Sequence, residues 1–144
     1  MLPEYIKKDI NDSFNRITAS FEAFWQITIK LCDGCTLACL HCSHHCEKPT
    51  LIHVSNVLKI IDKCKLSNLT KSILLTGGEP LIYPEIDKIF KKLHCENIPF
   101  DVNTCLFVDI KNVEKLVNYN VRCLRYSIYG QTKEEHNAFT HRDS

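Results

Sequence analysis

The sequence predicts an α/β protein built on a parallel sheet. Four short segments rich in β-branched and aromatic residues alternate, along its 144 residues, with segments whose apolar residues recur at helical spacing. Parallel strands need long right-handed crossovers, and helical segments of this kind supply them. The charged fraction of 24% and the hydrophobic fraction of 44% are those of an ordinary globular domain, which excludes a disordered or fibrous chain.

Charge and hydropathy exclude two further classes. The formal net charge is +1 with scattered Lys and Arg, so no basic surface for nucleic acid or an anionic membrane is expected. The longest apolar candidate, Phe24–Leu31, is far shorter than the roughly 20 residues of a membrane span. The opening residues lack the features of a secretory signal, so we expect a cytoplasmic protein. In a reducing compartment, clustered thiols bind metal or do chemistry rather than form disulfides.

We divide the chain into residues 1–23, a packing helix, and residues 24–144, which hold the sheet. The predicted helix has one apolar stripe, made of Ile6, Ile10, Phe14, Ile17 and Phe21. The segment Phe24–Leu31 alternates and is rich in β-formers, which predicts the first strand.

Two helices surround the second strand. Ser55 is expected to cap the first of them, whose inward positions are Val57, Leu58, Ile61 and Cys64. Ile73–Leu75 reads as a short buried strand that ends at Gly77-Gly78. Pro84 is tolerated as a first helical residue, and the stripe after it is Ile86, Ile89, Phe90 and Leu93.

The last third of the chain repeats this pattern. Pro99–Val102 predicts the third strand, and Asp109 can cap a helix with inward positions Ile110, Val113, Leu116 and Val117. Val121–Ile128 predicts a fourth strand at the edge of the sheet, and Thr132–Phe139 begins another helix. Four strands do not close a barrel, so we expect either an open sheet or the first part of a larger fold. Because the last predicted helix is cut off at Ser144, we expect the chain to be truncated there.

The cysteines are the most informative feature. Five of the nine fall within 15 consecutive residues: Cys32, Cys35, Cys39, Cys42 and Cys46. Zinc sites commonly use two ligand pairs separated by a longer loop, which this segment lacks. The spacing C-x2-C-x2-C of bacterial ferredoxins fails because position 38 is Ala. One choice of three, Cys35, Cys39 and Cys42, has the spacing C-x3-C-x2-C.

This triad after the first strand resembles the signature of radical S-adenosylmethionine (radical SAM) enzymes. The resemblance implies that Cys35, Cys39 and Cys42 bind three irons of a [4Fe-4S] cluster and leave the fourth for the amino and carboxylate groups of SAM. It implies reductive cleavage of SAM to a 5′-deoxyadenosyl radical, which abstracts hydrogen from a substrate. It also implies a partial parallel β/α barrel, similar to a TIM barrel, with about four strands present.

A second motif supports the resemblance. Gly77, Gly78, Glu79 and Pro80 match the GGEP element that ends the second strand in this family, 35 residues after Cys42. Glycines let the backbone approach a ligand closely, and the Glu79 carboxylate is expected to accept hydrogen bonds from the ammonium of SAM.

Three further residues are implied to face SAM. Asn103 ends the third strand where relatives carry an Asn-Thr-Asn-Gly run, although Cys105 and Leu106 replace its second half. Ser127 lies in a Ser-Ile-Tyr-Gly stretch similar to that of radical SAM peptide maturases, and Arg142 lies near their carboxylate-binding Arg. The cysteine loop (Cys32–Cys46), Gly78-Glu79, Asn103 and Ser127 all lie at or just after the ends of predicted strands, at the edge where parallel α/β sheets place their sites.

The remaining thiols and imidazoles have no role in the motif. Cys32 and Cys46 are expected to be spare thiols, and His41 is expected to pack where relatives carry an aromatic residue beside adenine. Four isolated cysteines, mostly in apolar periodic contexts and interpreted as core residues, are Cys64, Cys95, Cys105 and Cys123. His44 and His45 are interpreted as polar loop residues.

The resemblance covers residues 24–142 and includes SPASM-type peptide maturases and the enzymes of molybdenum-cofactor and pyrroloquinoline-quinone biosynthesis. It implies a peptide as substrate and a reductant such as flavodoxin or ferredoxin; charge and hydropathy, as above, predict no nucleic acid or membrane partner. Two alternatives stay open: a non-enzymatic iron–sulfur or zinc-binding module that uses four or five cysteines, and an incomplete chain that needs a partner to turn over.

Overall fold

The computed structural model describes residues 26–42, 50–67, 70–119 and 121–142. Its centre is a parallel sheet whose strands follow one another in sequence order. They are β1 (Ile27–Lys30), β2 (Ile73–Thr76), β3 (Phe100–Thr104) and β4 (Val121–Tyr126). Each crossover advances by one position in the same direction, as in a β/α barrel. The described sheet stays open, with β4 at one edge as the sequence predicts.

Three helices connect the strands, and a fourth follows β4 in the described part of the chain. They are α1 (Val54–Ser67), α2 (Ile86–Cys95), α3 (Ile110–Glu114) and α4 (Lys133–Thr140). Short 3-10 turns, Pro80–Ile82 and Lys115–Asn118, precede α2 and follow α3. No helix in the described ranges is long and apolar enough to cross a bilayer.

The hydrophobic core lies between one face of the sheet and the helices. All four residues of the predicted α2 stripe are fully buried: Ile86, Ile89, Phe90 and Leu93. From the sheet, alternate residues of β2 and β3 complete this layer, and Phe100 stacks on Phe90 with ring centroids 5.2 Å apart. Because strand side chains alternate, the other face is left for polar residues.

That polar face is organised around Asp101, whose carboxylate is fully buried on β3. Arg122 donates two hydrogen bonds to it at 2.8 Å, and Arg125 and Gln26 donate one each. The hydrogen bonds from Arg122 hold the pKa of Asp101 at about 2. The register shift between Phe100 and Asp101 allows both arginines of β4 to reach the same carboxylate.

Three sequence predictions need correction: Ser55 as a helix cap, and Ile110 and Val117 as inward-facing positions. The helix predicted to be capped by Ser55 begins at Val54, so Ser55 lies in its first turn. Asp109 does cap α3, by accepting from the N–H of Lys111 at 2.9 Å. Ile110 and Val117, however, are 64% and 85% exposed. The helix tightens to three residues per turn at Lys115, which rotates Val117 out of the stripe that 3.6 residues per turn would form. The helix predicted within residues 1–23 lies outside the described residues.

Candidate active site

A cleft of about 300 Å³ lies at the carboxyl ends of the strands. The last residues of β2, β3 and β4 form its floor, and the loop after β1 forms one wall. Parallel α/β folds place their ligands at this edge because the loops that follow the strands converge there. The sequence prediction that the motifs meet at the carboxyl ends of the strands is therefore confirmed for the cysteine loop, Gly78, Asn103 and Ser127.

Backbone hydrogen bonds hold the cysteine loop on both sides. Near β1, the N–H of Leu31 donates to the carbonyl of Thr76 at 2.8 Å. Farther along, the N–H groups of Ala38 and Leu40 donate to the last carbonyls of α4, on Thr140 and Phe139, at 3.0 Å. The bonds from Ala38 and Leu40 use carbonyls that the end of a helix leaves unpaired, and they connect α4 to the cysteine loop.

The three thiols of the triad, Cys35, Cys39 and Cys42, all line the cleft. Burial raises the pKa of the Cys39 thiol, and the charges of Cys35 and Cys42 raise it further. A bound cationic group would favour the thiolate form of Cys39 against both effects.

The thiols are not arranged around one ion. Within the described ranges, no three His, Cys, Asp or Glu side chains are placed to hold a single metal ion. A tetrahedral zinc site needs its sulfurs at about 2.3 Å from a common centre. An iron–sulfur cluster takes each thiolate on a different iron, so it suits thiols that line one cleft without meeting at a point.

The turn at Gly77-Gly78 packs directly on the cysteine loop. The N–H of Gly78 donates to the carbonyl of Cys32 at 2.9 Å, and the N–H of Glu79 donates to the carbonyl of Gly34 at 2.8 Å. A Cβ on Gly78 would lie 2.1 Å from the carbonyl oxygen of Gly34, and one on Gly77 would lie 2.5 Å from that of Cys32. Both positions therefore need glycine, and both residues line the cleft.

Glu79 is turned into the fold. Its side chain is fully buried and accepts hydrogen bonds from the N–H of Leu81, the hydroxyl of Thr104 and the N–H of Cys105, at 2.9, 2.7 and 2.7 Å. Pro80 is buried at the start of the 3-10 turn. The residues that line the cleft include neither Glu79 nor Pro80. The carboxylate thus joins the end of β2 to the end of β3.

The other predicted contact residues differ in position. Asn103 lines the cleft, and its Oδ1 is the one buried side-chain polar atom in the described ranges that lacks a hydrogen-bond partner. Such an atom is costly unless a ligand or water supplies a donor. Ser127 is exposed and also lines the cleft, whereas Arg142 is exposed beyond α4 and does not line it.

An aromatic cluster closes one end of the cleft. His41 packs against Tyr129 and Phe139, with ring centroids 5.0 and 5.1 Å apart, and the rings of Tyr129 and Phe139 stack at 4.6 Å. His41 and Tyr129 both line the cleft. The packing role predicted for His41 is confirmed.

The isolated cysteines do not all belong to the core. Cys64, a residue of α1, is buried, but Cys95 is exposed and Cys123 is half-buried. Cys105 lines the cleft with its sulfur 3.5 Å from the hydroxyl of Thr36, and its side chain lowers the pKa of Cys35 to about 6. Sequence reasoning interpreted Cys105 as a core residue, because a single cysteine after a strand does not indicate which side of the sheet its side chain faces. The available clue was its position directly after Asn103-Thr104, at the end of the third strand.

Cys32 is outside this group. It is buried, and its thiol donates to the carbonyls of Glu79 and Gly34 at 3.4 and 3.6 Å. Burial raises its pKa, so it remains a neutral thiol. Cys46, the other flanking cysteine, lies outside the described residues.

Fold and site together define an α/β protein of the β/α-barrel type with a thiol-lined cleft at the carboxyl ends of its strands. Residues 29–142 match the family model of the radical SAM superfamily. The chain belongs to the radical SAM superfamily, whose enzymes use a [4Fe-4S] cluster and SAM.

Curated relatives include the GTP 3′,8-cyclases of two Helicobacter pylori strains, 26695 and HPAG1. Each is 30% identical over 91 residues, which cover 60% of this chain and 26% of the relative. The chain therefore spans about a quarter of the length of these enzymes.

Solved structures of Streptococcus suis SuiB share the fold. The form bound to S-adenosylmethionine superposes with a TM-score of 0.70 at 16% identity, over 96% of this chain and 34% of SuiB. The form bound to the precursor peptide SuiA also gives a TM-score of 0.70 at 16% identity, over 96% of this chain and 33% of SuiB.

Proposed function

We propose that this chain is a radical SAM enzyme in which Cys35, Cys39 and Cys42 hold a [4Fe-4S] cluster and the cleft holds SAM. The observation that carries the proposal is the meeting of three thiols, a glycine turn and an unpartnered amide oxygen in one cleft. When bound, the cluster and SAM supply reductive cleavage of SAM and the radical that abstracts hydrogen from a substrate.

The residues of the chain would bind the cluster, orient SAM beside it and shield both from solvent. Three thiolates leave one iron without a protein ligand, which is the vacancy that the amino and carboxylate groups of SAM need. Gly77 and Gly78 let the cysteine loop pack directly on the turn that borders the cleft, because a Cβ on either residue would meet the backbone of that loop. The free lone pairs of Asn103 Oδ1 accept from a ligand hydroxyl or ammonium group, and the Ser127 hydroxyl supplies a further contact.

The aromatic cluster and the glutamate have supporting roles in this proposal. His41 and Tyr129 form an aromatic wall suited to the adenine ring, since aromatic rings pack offset-stacked or edge to face at these spacings. Glu79 and Pro80 act by setting the position of the glycine turn rather than by touching SAM. Arg142 is not included among the proposed contacts, because it lies outside the cleft.

The cluster assignment is tested by metal content. Anaerobic reconstitution of the wild-type protein is expected to give about four iron and about four sulfide per chain. Cys39→Ala should reduce both to background, whereas Cys32→Ala should leave both unchanged. The two cysteines are a matched pair, since both are buried, with exposures of 8% and 3%. Equal losses in the two variants, or stoichiometric zinc in the wild type, would refute the choice of ligands.

Activity is tested separately. The reconstituted wild-type protein, given SAM and dithionite, is expected to form 5′-deoxyadenosine, measured by liquid chromatography. Cys39→Ala should form none. A protein that binds the cluster but forms no product would instead require a partner or further residues, the alternative left open by the sequence.

We propose further that the substrate is a peptide. The support is the likeness of the Ser-Ile-Tyr-Gly stretch at Ser127 to peptide maturases, and the fold shared with SuiB, which has been solved with its precursor peptide. Synthetic linear peptides are expected to increase 5′-deoxyadenosine formation and to change in mass. Stimulation by GTP and not by any peptide would contradict this and point to a nucleotide substrate.

A further inference from the structure

Arg125 lies where the polar network around Asp101 meets the cleft. It is a residue of β4, its side chain is 47% exposed, and it lines the cleft. Of the described residues that line the cleft, Arg125 alone carries a fixed charge. The register of the sheet places it directly beside Asn103 on β3, whose buried Oδ1 lacks a partner. A guanidinium and an unpaired acceptor therefore belong to neighbouring positions of the cleft.

The two arginines of the network use their donors differently. Arg122 donates from Nε and Nη2 to the two oxygens of Asp101, both at 2.8 Å, and does not line the cleft. Arg125 donates from Nη2, to Oδ2 of Asp101 at 2.7 Å. A guanidinium has five N–H donors, so most of those on Arg125 have no partner in the described part of the chain. The fork of Arg122 pairs both oxygens of Asp101, and Arg125 keeps donors for a ligand.

The same network has one positive charge in excess. Asp101 is fully buried and carries one negative charge, which balances one of the two guanidinium groups. The other has no counter-charge in the cleft, because no carboxylate belongs to its described lining. A single excess charge matches one carboxylate, which a guanidinium binds through two parallel hydrogen bonds. A polyphosphate would need several cations, which the described lining does not supply.

We propose that Arg125 is a substrate-binding residue whose guanidinium holds a carboxylate of the substrate, and that the substrate is an acidic peptide. The inference rests on the proposed function and names its substrate class. Asp101 fixes the position of Nη2, so the guanidinium is held at the cleft before the substrate binds. The carboxylate belongs to an Asp or Glu side chain or to the C-terminus of the peptide, and the experiment separates these two sources.

The experiment measures peptide binding to the cluster-loaded protein, without oxygen and in the presence of SAM. Random hexapeptides with free or amidated C-termini are equilibrated with the immobilised protein, and the bound fraction is sequenced by mass spectrometry. The most enriched peptide is then labelled, and its Kd is measured by fluorescence anisotropy. The same measurement is made on its counterpart with Gln or Asn for the acidic residue, or with an amidated C-terminus.

Four proteins are compared: wild type, Arg125→Gln, Arg125→Lys and the control Arg142→Gln. Arg142 is exposed and lies outside the cleft, and its replacement removes the same side chain and the same charge. Iron content and the affinity for SAM, from calorimetry, are measured first and are expected to be equal in all four. Circular dichroism shows whether each variant is folded.

The wild type is expected to enrich Asp and Glu several-fold over Asn and Gln, or free over amidated C-termini. Arg125→Gln should abolish the preference and raise the Kd of the enriched peptide about tenfold or more, the effect of losing a charge-assisted hydrogen bond. Arg125→Lys keeps the charge without the planar fork, so the rise in Kd should be smaller. Arg142→Gln should match the wild type.

Several results would overturn the inference. A wild type that binds no peptide, or binds the pool without preferring carboxylates, would refute it. A preference that survives in Arg125→Gln, or is lost in Arg142→Gln, would place the carboxylate elsewhere. Should Arg125→Gln not fold, an unchanged Kd in a folded Arg125→Lys would refute the paired guanidinium contact. Lower iron content or weaker SAM binding in Arg125→Gln would make Arg125 part of the cofactor site instead.

A nucleotide substrate is tested in the same assay. If GTP displaces the labelled peptide from the wild type and not from Arg125→Gln, the guanidinium binds phosphate and the carboxylate assignment is wrong. The proposed function fails in a different way, because a wild type that loads no iron refutes it, and this inference with it. Normal iron content and SAM binding without a carboxylate preference would refute this inference alone.

Discussion

Replacing Glu79 with alanine should lower the free energy of unfolding, because the carboxylate supports the fold around the site rather than contacting SAM. The substitution removes the acceptor of three hydrogen bonds, from Leu81, Thr104 and Cys105, in a position with no access to solvent. A buried donor left without a partner costs roughly 1 to 3 kcal/mol. Relaxation around the cavity lowers the sum, so we expect a loss of about 3 to 6 kcal/mol in the free energy of unfolding.

This loss is large against the roughly 5 to 15 kcal/mol that stabilises an ordinary domain. The measurement is urea unfolding of the protein without its cluster, followed by circular dichroism and extrapolated linearly to water. Glu79→Gln keeps an acceptor oxygen and most of the volume, so its loss should be smaller. Glu114→Ala, at the end of α3 and exposed, is the matched control and should stay within about 0.5 kcal/mol of wild type.

The opposite pattern would refute this reasoning. If Glu79→Ala unfolds within about 1 kcal/mol of wild type, about the value of a single net hydrogen bond, its carboxylate does not hold the two strand ends together. If calorimetry on the cluster-loaded variant then shows weakened SAM binding, the carboxylate contacts the ammonium of SAM, as the sequence predicted.

Two further predictions concern the turn and the polar face. Gly78→Ala should lower the free energy of unfolding by about 1 to 3 kcal/mol and should also reduce iron loading, because the new Cβ would lie 2.1 Å from the carbonyl oxygen of Gly34. A variant with the stability and iron content of the wild type would contradict this. Because the folded pKa of Asp101, about 2, is below the usual value of about 3.9, its contribution of at most about 3 kcal/mol is present above pH 4 and is lost as the pH falls through 2. Asp101→Asn should remove that part of the pH dependence of urea unfolding, and an unchanged slope between pH 4 and 2 would count against the role of the two arginines.

Local features of the chain were predictable because their signals lie within a few residues. The buried stripe of α2, the cap of α3 by Asp109 and the four strands follow from periodicity and turn chemistry. The choice of Cys35, Cys39 and Cys42 likewise depends only on spacing within eight residues of sequence. The exposure of Val117 was missed because a change of helix type alters the period that the prediction assumes.

The sequence by itself determined the class of fold, the order of its elements and the thiol triad. Only the tertiary structure decided that Glu79 faces inward and that Cys105 lines the same cleft as the triad. The hydrogen bond between Cys105 and Glu79 joins residues 26 positions apart, and the contact between Cys105 and Thr36 joins residues 69 positions apart. Such contacts depend on the register of neighbouring strands and the path of the crossovers between them, which no local pattern of side chains specifies.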